Sequence, residues 1–366
     1  MPAVRLVAEG VGPFERLDLD LSDGRGNPHL GPHILAGVNG SGKSTALRAL
    51  AWVLDDPEAV HGFPDEIWPH ALNGHGVSRA ALLLRPKPAE SCVYVRSARH
   101  RESPLDVREW LRAALSPRVE EEGSFWDSES SRLLEEGSRH PKQLARPVLW
   151  SSDHPHYFSF AAYTPSRALQ YLSAPDLTKT LSNAFEGALG FESTVLNEVI
   201  HAWLLGLYSK RAIAKEQGQS AEPYTSFLDR FQKALNLIFG QRTHLEVHID
   251  PPKWQLLLRF AGSSMNFSQL PDGARNTIGW LADFMMRQEL NRWSPKLGGK
   301  KPGILLIDEI DAHLHPRWQR QILPALREAL PDVQIIVASH SPFVISSCAG
   351  ARVHVLEVDG RGRAHA

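Results

Sequence analysis

Only two cysteines, Cys92 and Cys348, occur in 366 residues, and they lie far apart. That excludes a disulfide framework or a cysteine-rich zinc site and fits a reducing compartment. Long apolar runs are missing as well. None approaches the ~20 residues that a membrane span requires. The opening MPAVRLVAEGVGPF has no basic start followed by an apolar core, so no secretory signal is expected. These absences predict a soluble cytoplasmic protein with no membrane partner. An excess of one charge is also lacking. The formal net charge of −1 gives no global pull towards nucleic acid, although a local basic patch is compatible with it. There is no internal repeat. The 42% hydrophobic content is enough for one large α/β domain with insertions, or for two domains.

Two stretches carry chemistry. The first is HILAGVNGSGKSTALRALAWVL, residues 33–54. Residues 37–44 match G-x-x-x-x-G-K-[ST] between a short apolar strand and a helix periodic through Leu47, Leu50 and Leu54. Gly37, Gly40 and Gly42 let backbone N–H groups turn inward around phosphate oxygens. The helix starting near Lys43 adds the positive end of its dipole. Lys43 should reach the β- and γ-phosphates and the Ser44 hydroxyl should ligate Mg²⁺. Asn39, Ser41 and Thr45 complete the expected nucleotide-binding loop.

The second stretch is GILLIDEIDAHLHP, residues 303–316. It reads as a buried strand ending in Asp308, Glu309 and Asp311. Carboxylates there are costly unless something cationic compensates them. For Asp-Glu alone, a solvated acidic turn would be the plain reading. With a phosphate loop in the same chain, Asp308 is expected to hold Mg²⁺, directly or through water. Glu309, just beyond the strand, is placed to polarise the water that attacks the γ-phosphate. A further strand, residues 333–338, ends in Ser339, His340 and Ser341. A lone histidine there would be a surface or capping residue. Its place after the acid strand and an intervening helix over 317–330 makes it a candidate for the γ-phosphate or the attacking water. Upstream, Gly273 opens a helix with an apolar stripe at Ile278, Leu281 and Met285, and Asp272 is expected as its N-cap.

This order of motifs resembles the ABC-type ATPases, and within them the SMC/RecF/OLD branch. Residues 306–344, LIDEIDAHLHPRWQRQILPALREALPDVQIIVASHSPFV, resemble the AAA-type ATPases of bacterial defence and retron operons, including the PtuA-like ATPases of Septu systems. The resemblance implies an α/β P-loop NTPase fold: an ABC-ATPase head with a mixed sheet and a helical insertion instead of a long coiled coil. It implies ATP and Mg²⁺ as cofactors and a homodimer in which two heads close head-to-tail. Each nucleotide would be completed by the partner's signature helix, here Asp272 and Gly273. By the same resemblance Gly37, Gly42, Lys43 and Ser44 are Walker-A positions, Asp308 and Glu309 are Walker B with the catalytic base, and His340 is the switch histidine. Residues 311–315 would contact the opposite protomer.

The chain departs from the pattern in several places. The usual Leu-Ser-x-Gly signature reads Leu270, Pro271, Asp272, Gly273, and proline removes a hydroxyl and an N–H donor. His315 stands near the place of an aspartate common in transporters, and no Q-loop glutamine stands out. FSFAAYTPSR, residues 158–167, resembles the strand-then-arginine segment of these relatives, which makes Arg167 a γ-phosphate or dimer-contact candidate.

More than 260 residues separate the two Walker motifs. The expected division is a head at 1–84 and 243–366, inserted strands with a mobile loop at 85–192, and a helical insertion at 193–242. The insertion shows Leu196, Ile200, Trp203 and Leu207, then Phe227, Phe231 and Leu235, at helical spacing. THLEVHI and WQLLLRF read as strands leading back to the head. The arginines from Arg96 to Arg118 read as a solvated face rather than a nucleic-acid or partner patch. Only 26 residues follow His340, too few for the nuclease domain that OLD proteins attach there. The expectation is therefore an ATPase subunit controlling a separate effector, a nuclease, in anti-phage defence. A RecF-like DNA-repair ATPase is the first alternative, and a transporter ATPase subunit the second.

Overall fold

The computed structural model describes residues 2–54, 79–87, 90–97, 110, 158–164, 179–181, 184–191, 196–240, 242–250, 253–359 and 364–365. Arg167 and the polar stretch at 120–142 lie outside them. The chain opens with β1 (Ala3–Val11), β2 (Phe14–Asp20) and β3 (His33–Ala36), then helix α1 (Lys43–Leu54). Three strands follow, β4 (Arg79–Lys87), β5 (Glu90–Ser97) and β6 (Ser159–Tyr163). Helices α2 (Leu196–Glu216) and α3 (Glu222–Phe239) precede β7 (His244–Asp250), β8 (Lys253–Phe260) and β9 (Ser263–Met265). The last part contains α4 (Asp272–Leu290), β10 (Gly303–Ile307), α5 (Pro316–Ala329), β11 (Val333–Ser339), the short α6 (Pro342–Ile345) and β12 (Arg352–Val355). A small hairpin, β13 (Glu357–Val358) with β14 (Ala364–His365), ends it.

Five strands form a wholly parallel sheet in the order β12-β3-β11-β10-β6. A sheet buried on both faces needs apolar residues at consecutive positions, and β3, β10 and β11 are buried throughout. Alternate side chains serve two cores. Leu35, Ile304, Leu306, Ile336 and Ala338 face α1 and the antiparallel sheet β2-β1-β4-β5. Ile34, Leu305, Ile307, Ile335 and Val337 face the helical side. Pairing expected within one mixed sheet is thus divided, among the described residues, between a parallel sheet and separate antiparallel ones. Gly303 lets β10 approach β6, because a Cβ there would come within 2.8 Å of the Ser159 carbonyl oxygen.

The helical stretch packs onto this second face. Trp203 of α2 meets Phe227 of α3 edge-on at 4.4 Å, and Phe231, Leu235 and Ile200 share a core with the sheet. The apolar stripes therefore bury against the head and not only against each other. The start of α4 corrects one expectation. Pro271, not Asp272, is the N-cap and makes no side-chain capping bond. Asp272 is the first helical residue, where its carboxylate faces the positive end of the helix and pairs with Arg275 one turn on.

Candidate functional site

In a parallel sheet, ligands bind beyond the carboxyl ends of the strands. β3 and β10 point the same way with only β11 between them, so the glycine loop and the acids emerge on one edge. The loop is tightly built. Gly42 has φ +90°, and a Cβ there would collide with the ring of Phe14. The Lys43 ammonium arches back across the loop, donating to the carbonyls of Gly37 at 2.9 Å and Val38 at 2.8 Å. Asn39 and Gly40 are exposed on the rim, Ser41 is buried, and Ser44 and Thr45 are half-buried.

Asp308 is buried, and its backbone N–H donates to the Tyr163 carbonyl at 2.8 Å. Burial pushes its carboxyl pKa above the ordinary aspartate range, and Glu309 adds to the rise. A hydrogen bond from the Ser44 hydroxyl and the charge of Arg48 oppose it. Oδ1 of Asp308 has no hydrogen-bond partner. No cation forms an ion pair with Asp308 among the described residues. Buried charge without a pair is destabilising unless a ligand compensates it. Among the described residues, no group of three or more His, Cys, Asp or Glu side chains is arranged to hold a metal. One carboxylate with one hydroxyl is instead the donor set through which Mg²⁺ is held together with substrate phosphates. The residues present fit that ion.

Glu309 is exposed and adopts φ +46°, and His313 adopts φ +60°. Left-handed backbone at non-glycine residues is strained and clusters at functional sites. The Asp311 carboxylate is buried, with Oδ2 3.5 Å from Nδ1 of the exposed His340 and Oδ1 unpartnered. His315 caps α5, its Nδ1 accepting from the Arg317 N–H at 3.2 Å. Gly273 is buried against the loop after the acids. A Cβ there would overlap the His313 carbonyl and sit 3.0 Å from Leu314. Ser44, Asp308 and Glu309 are brought together, as are Asp311 and His340. No hydrogen bond or ion pair joins His340 to Ser44 or Lys43 among the described residues.

Three features were missed by reading motifs. Arg48 lies one turn beyond Ser44, and that helical spacing was the available signal. Gln319 binds the Asp311 and Leu314 carbonyls at 3.2 and 2.9 Å and accepts from the Ser341 hydroxyl at 2.7 Å. Tyr163, at the end of β6, donates its hydroxyl to Asp283 of α4 at 2.5 Å.

A family model described as "AAA domain, putative AbiEii toxin, Type IV TA system" matches residues 217–346, less than half of the chain. That stretch holds residues 270–273, the acids and His340, and leaves out the glycine loop of residues 37–44. Septu protein PtuA of Bacillus mycoides (strain KBAB4) is 40% identical over 97 residues, which are 26% of this chain and 13% of that protein. The Retron Vc95 probable ATPase of Vibrio cholerae serotype O1 biovar El Tor is 24% identical across 90% of this chain and 69% of its own length. The chain is similar to Septu and retron proteins. Among solved structures, an SMC head bound to the C-winged helix domain of ScpA aligns with 100% of this chain and 96% of its own, at 14% identity and a TM-score of 0.49. No described helix is long and apolar enough to cross a membrane.

Proposed function

We propose that the chain is a Mg²⁺-dependent ATPase that closes head-to-tail on ATP in the cytoplasm and controls a separate effector, a nuclease, in anti-phage defence. The observation carrying the ATPase reading is Asp308, a buried carboxyl facing the Ser44 hydroxyl on the same sheet edge as the Lys43 loop. Lys43 exchanges its two carbonyl partners for the β- and γ-phosphate oxygens, and the backbone of residues 37–42 encloses them. Asp308 and the Ser44 hydroxyl would hold Mg²⁺, which would supply positive charge to offset the phosphates. Glu309 stands exposed beside Asp308 and takes the proton of the attacking water. His340 contributes a polar contact on the γ-phosphate side. The helix beginning at Asp272 and Gly273 would face a second molecule's nucleotide, and Arg167, outside the described residues, is kept as the sequence candidate for the γ-phosphate or the partner. The similarity to a retron ATPase supports hydrolysis, and the Septu and retron relatives support the defence setting.

Lys43→Ala tests the site. Phosphate release should fall to background while the melting temperature without nucleotide stays near that of the parent protein. An unchanged rate would overturn the assignment. The division of labour has its own test. Purified alone, the chain should hydrolyse ATP slowly and cut neither DNA nor RNA. Metal-dependent cleavage by the isolated chain, lost on mutating its own acids, would refute a separate effector.

A further inference from the structure

The loop after β10 and the loop after β11 are fastened together by a side chain of α5 to which the motifs assign no role. Gln319, half-buried on α5, uses both ends of its amide. Its Nε2 donates to the carbonyls of Asp311 and Leu314, holding the acid loop. Its Oε1 accepts from the Ser341 hydroxyl, holding the residue after His340. The Ser341 N–H is tied in turn to the Ser339 hydroxyl at 3.0 Å. His340 thus sits between two anchored serines, with its backbone fixed and its ring exposed. Among the described residues, the ring's ion-pair partner is Asp311, whose side chain is 4% exposed against 59% for His340.

We infer that Asp311 is the positioning residue of His340, and that Gln319 holds the two loops at the spacing this requires. A carboxylate facing Nδ1 selects the Nδ1–H tautomer. Nε2, on the far side of the ring, is left as an acceptor for the attacking water or, once protonated, as a donor to a phosphate oxygen. A buried carboxylate kept for stability is matched by a buried cation, as Asp283 is by Arg287. Among the described residues Asp311 has no such cation: Oδ2 lies against the exposed His340 ring, and Oδ1 has no hydrogen-bond partner. This inference rests on placing His340 at the γ-phosphate, as proposed above.

A double-mutant cycle on the full chain separates acting through His340 from merely supporting the fold. Asp311→Asn should lower kcat by about tenfold to a hundredfold, the scale of a misoriented group, with ATP affinity held. In the His340→Ala background the same change should cost less than about twofold. Equal losses in both backgrounds would overturn the inference. If Asp311→Asn does not fold, Gln319→Met carries the same cycle with the same expectation. A second readout needs no turnover. In protein labelled with ¹⁵N at the histidine ring, His340 should be mainly the Nδ1–H tautomer, and Asp311→Ala should shift it to a mixture. An unchanged tautomer refutes the positioning role. Absence of any ATP hydrolysis by the parent protein refutes the proposed function instead, and leaves the ring measurement to decide this one.

Discussion

Two buried aspartates make opposite use of burial. Asp283 of α4 is fully enclosed, and its Oδ2 receives the Arg287 guanidinium at 2.9 Å and the Tyr163 hydroxyl at 2.5 Å. Arg287 goes on to donate to the carbonyls of Ala184 and Glu186 at 2.9 and 2.7 Å. Burial alone would pull the Arg287 pKa down, but the charge of Asp283 and the contact with Tyr163 hold it above its ordinary value. Asp308 is almost as buried, but among the described residues it has one hydroxyl donor and no ion pair. The first carboxylate is matched by its own chain. The second is left for a ligand. Tyr163 joins them, its carbonyl accepting from the Asp308 N–H and its hydroxyl donating to Asp283.

Neutralising each site should therefore move stability and activity in opposite directions, and this is the largest effect expected. A carboxyl whose folded pKa is raised stabilises the fold below its unfolded value, near 3.8, and loses that contribution as pH rises through the folded pKa. Above its folded pKa, where it is ionised, Asp308 works against folding. Asp308→Asn should leave the melting temperature without nucleotide or Mg²⁺ unchanged or higher, while phosphate release falls to background. Arg287→Met, in contrast, strands the Asp283 charge and should cost about 3–5 kcal/mol in denaturant unfolding. A marked drop in melting temperature for Asp308→Asn, or a neutral Arg287→Met, would erase the distinction.

Glu309 sharpens the same contrast from the exposed side of the site. Its left-handed φ costs about 1–2 kcal/mol, a strain that stability does not require. Glu309→Gln should keep ATP affinity and lose turnover by about 10²-fold or more. Blocked hydrolysis should also accumulate a head-to-tail pair, visible as an ATP-dependent shift in size-exclusion chromatography. Loss of ATP binding would instead make Glu309 a metal or structural residue.

The legible parts of this molecule are those written within one short stretch of sequence. The glycine loop of residues 37–44, the β10 strand with its acids and the strand leading to His340 each announce themselves by local pattern. Their meeting on one edge follows from the parallel pairing of β3, β11 and β10. The Tyr163–Asp283–Arg287 network could not be read in that way, since Tyr163 and Asp283 are 120 residues apart and either polar residue alone suits a surface. Gln319 was hidden for a related reason. On an amphipathic helix it looks solvent-facing, and only the fold brings two loops to its amide. Asp272 misled because an acid before an apolar helix suits an N-cap as well as a first turn. The proline ahead of it took the cap.

The opposite end of β3 yields the smallest effect and the last test. His33 begins the strand whose other end carries the phosphate loop. Its Nδ1 lies 3.1 Å from Nε2 of His354 and its Nε2 3.1 Å from the His29 carbonyl. Burial pushes the His33 pKa from 6.5 down to about 3; the His29 carbonyl opposes this, and His354, His29 and Arg352 reinforce it. The fold thus holds this imidazole neutral. A base with a lowered folded pKa contributes its stability above the unfolded value and loses it as pH falls towards the folded one. The protein should therefore weaken progressively below about pH 6.5. His33→Gln should make the fall in melting temperature between about pH 7.5 and pH 5 shallower. The change should be partial, because His29 and His354 are lowered in the same direction. ATP turnover at neutral pH should change by less than about twofold, since His33 is neutral there and the phosphate loop lies at the far end of the strand. Identical acid slopes in the two proteins would mean that His33 is not the group whose charging the fold resists.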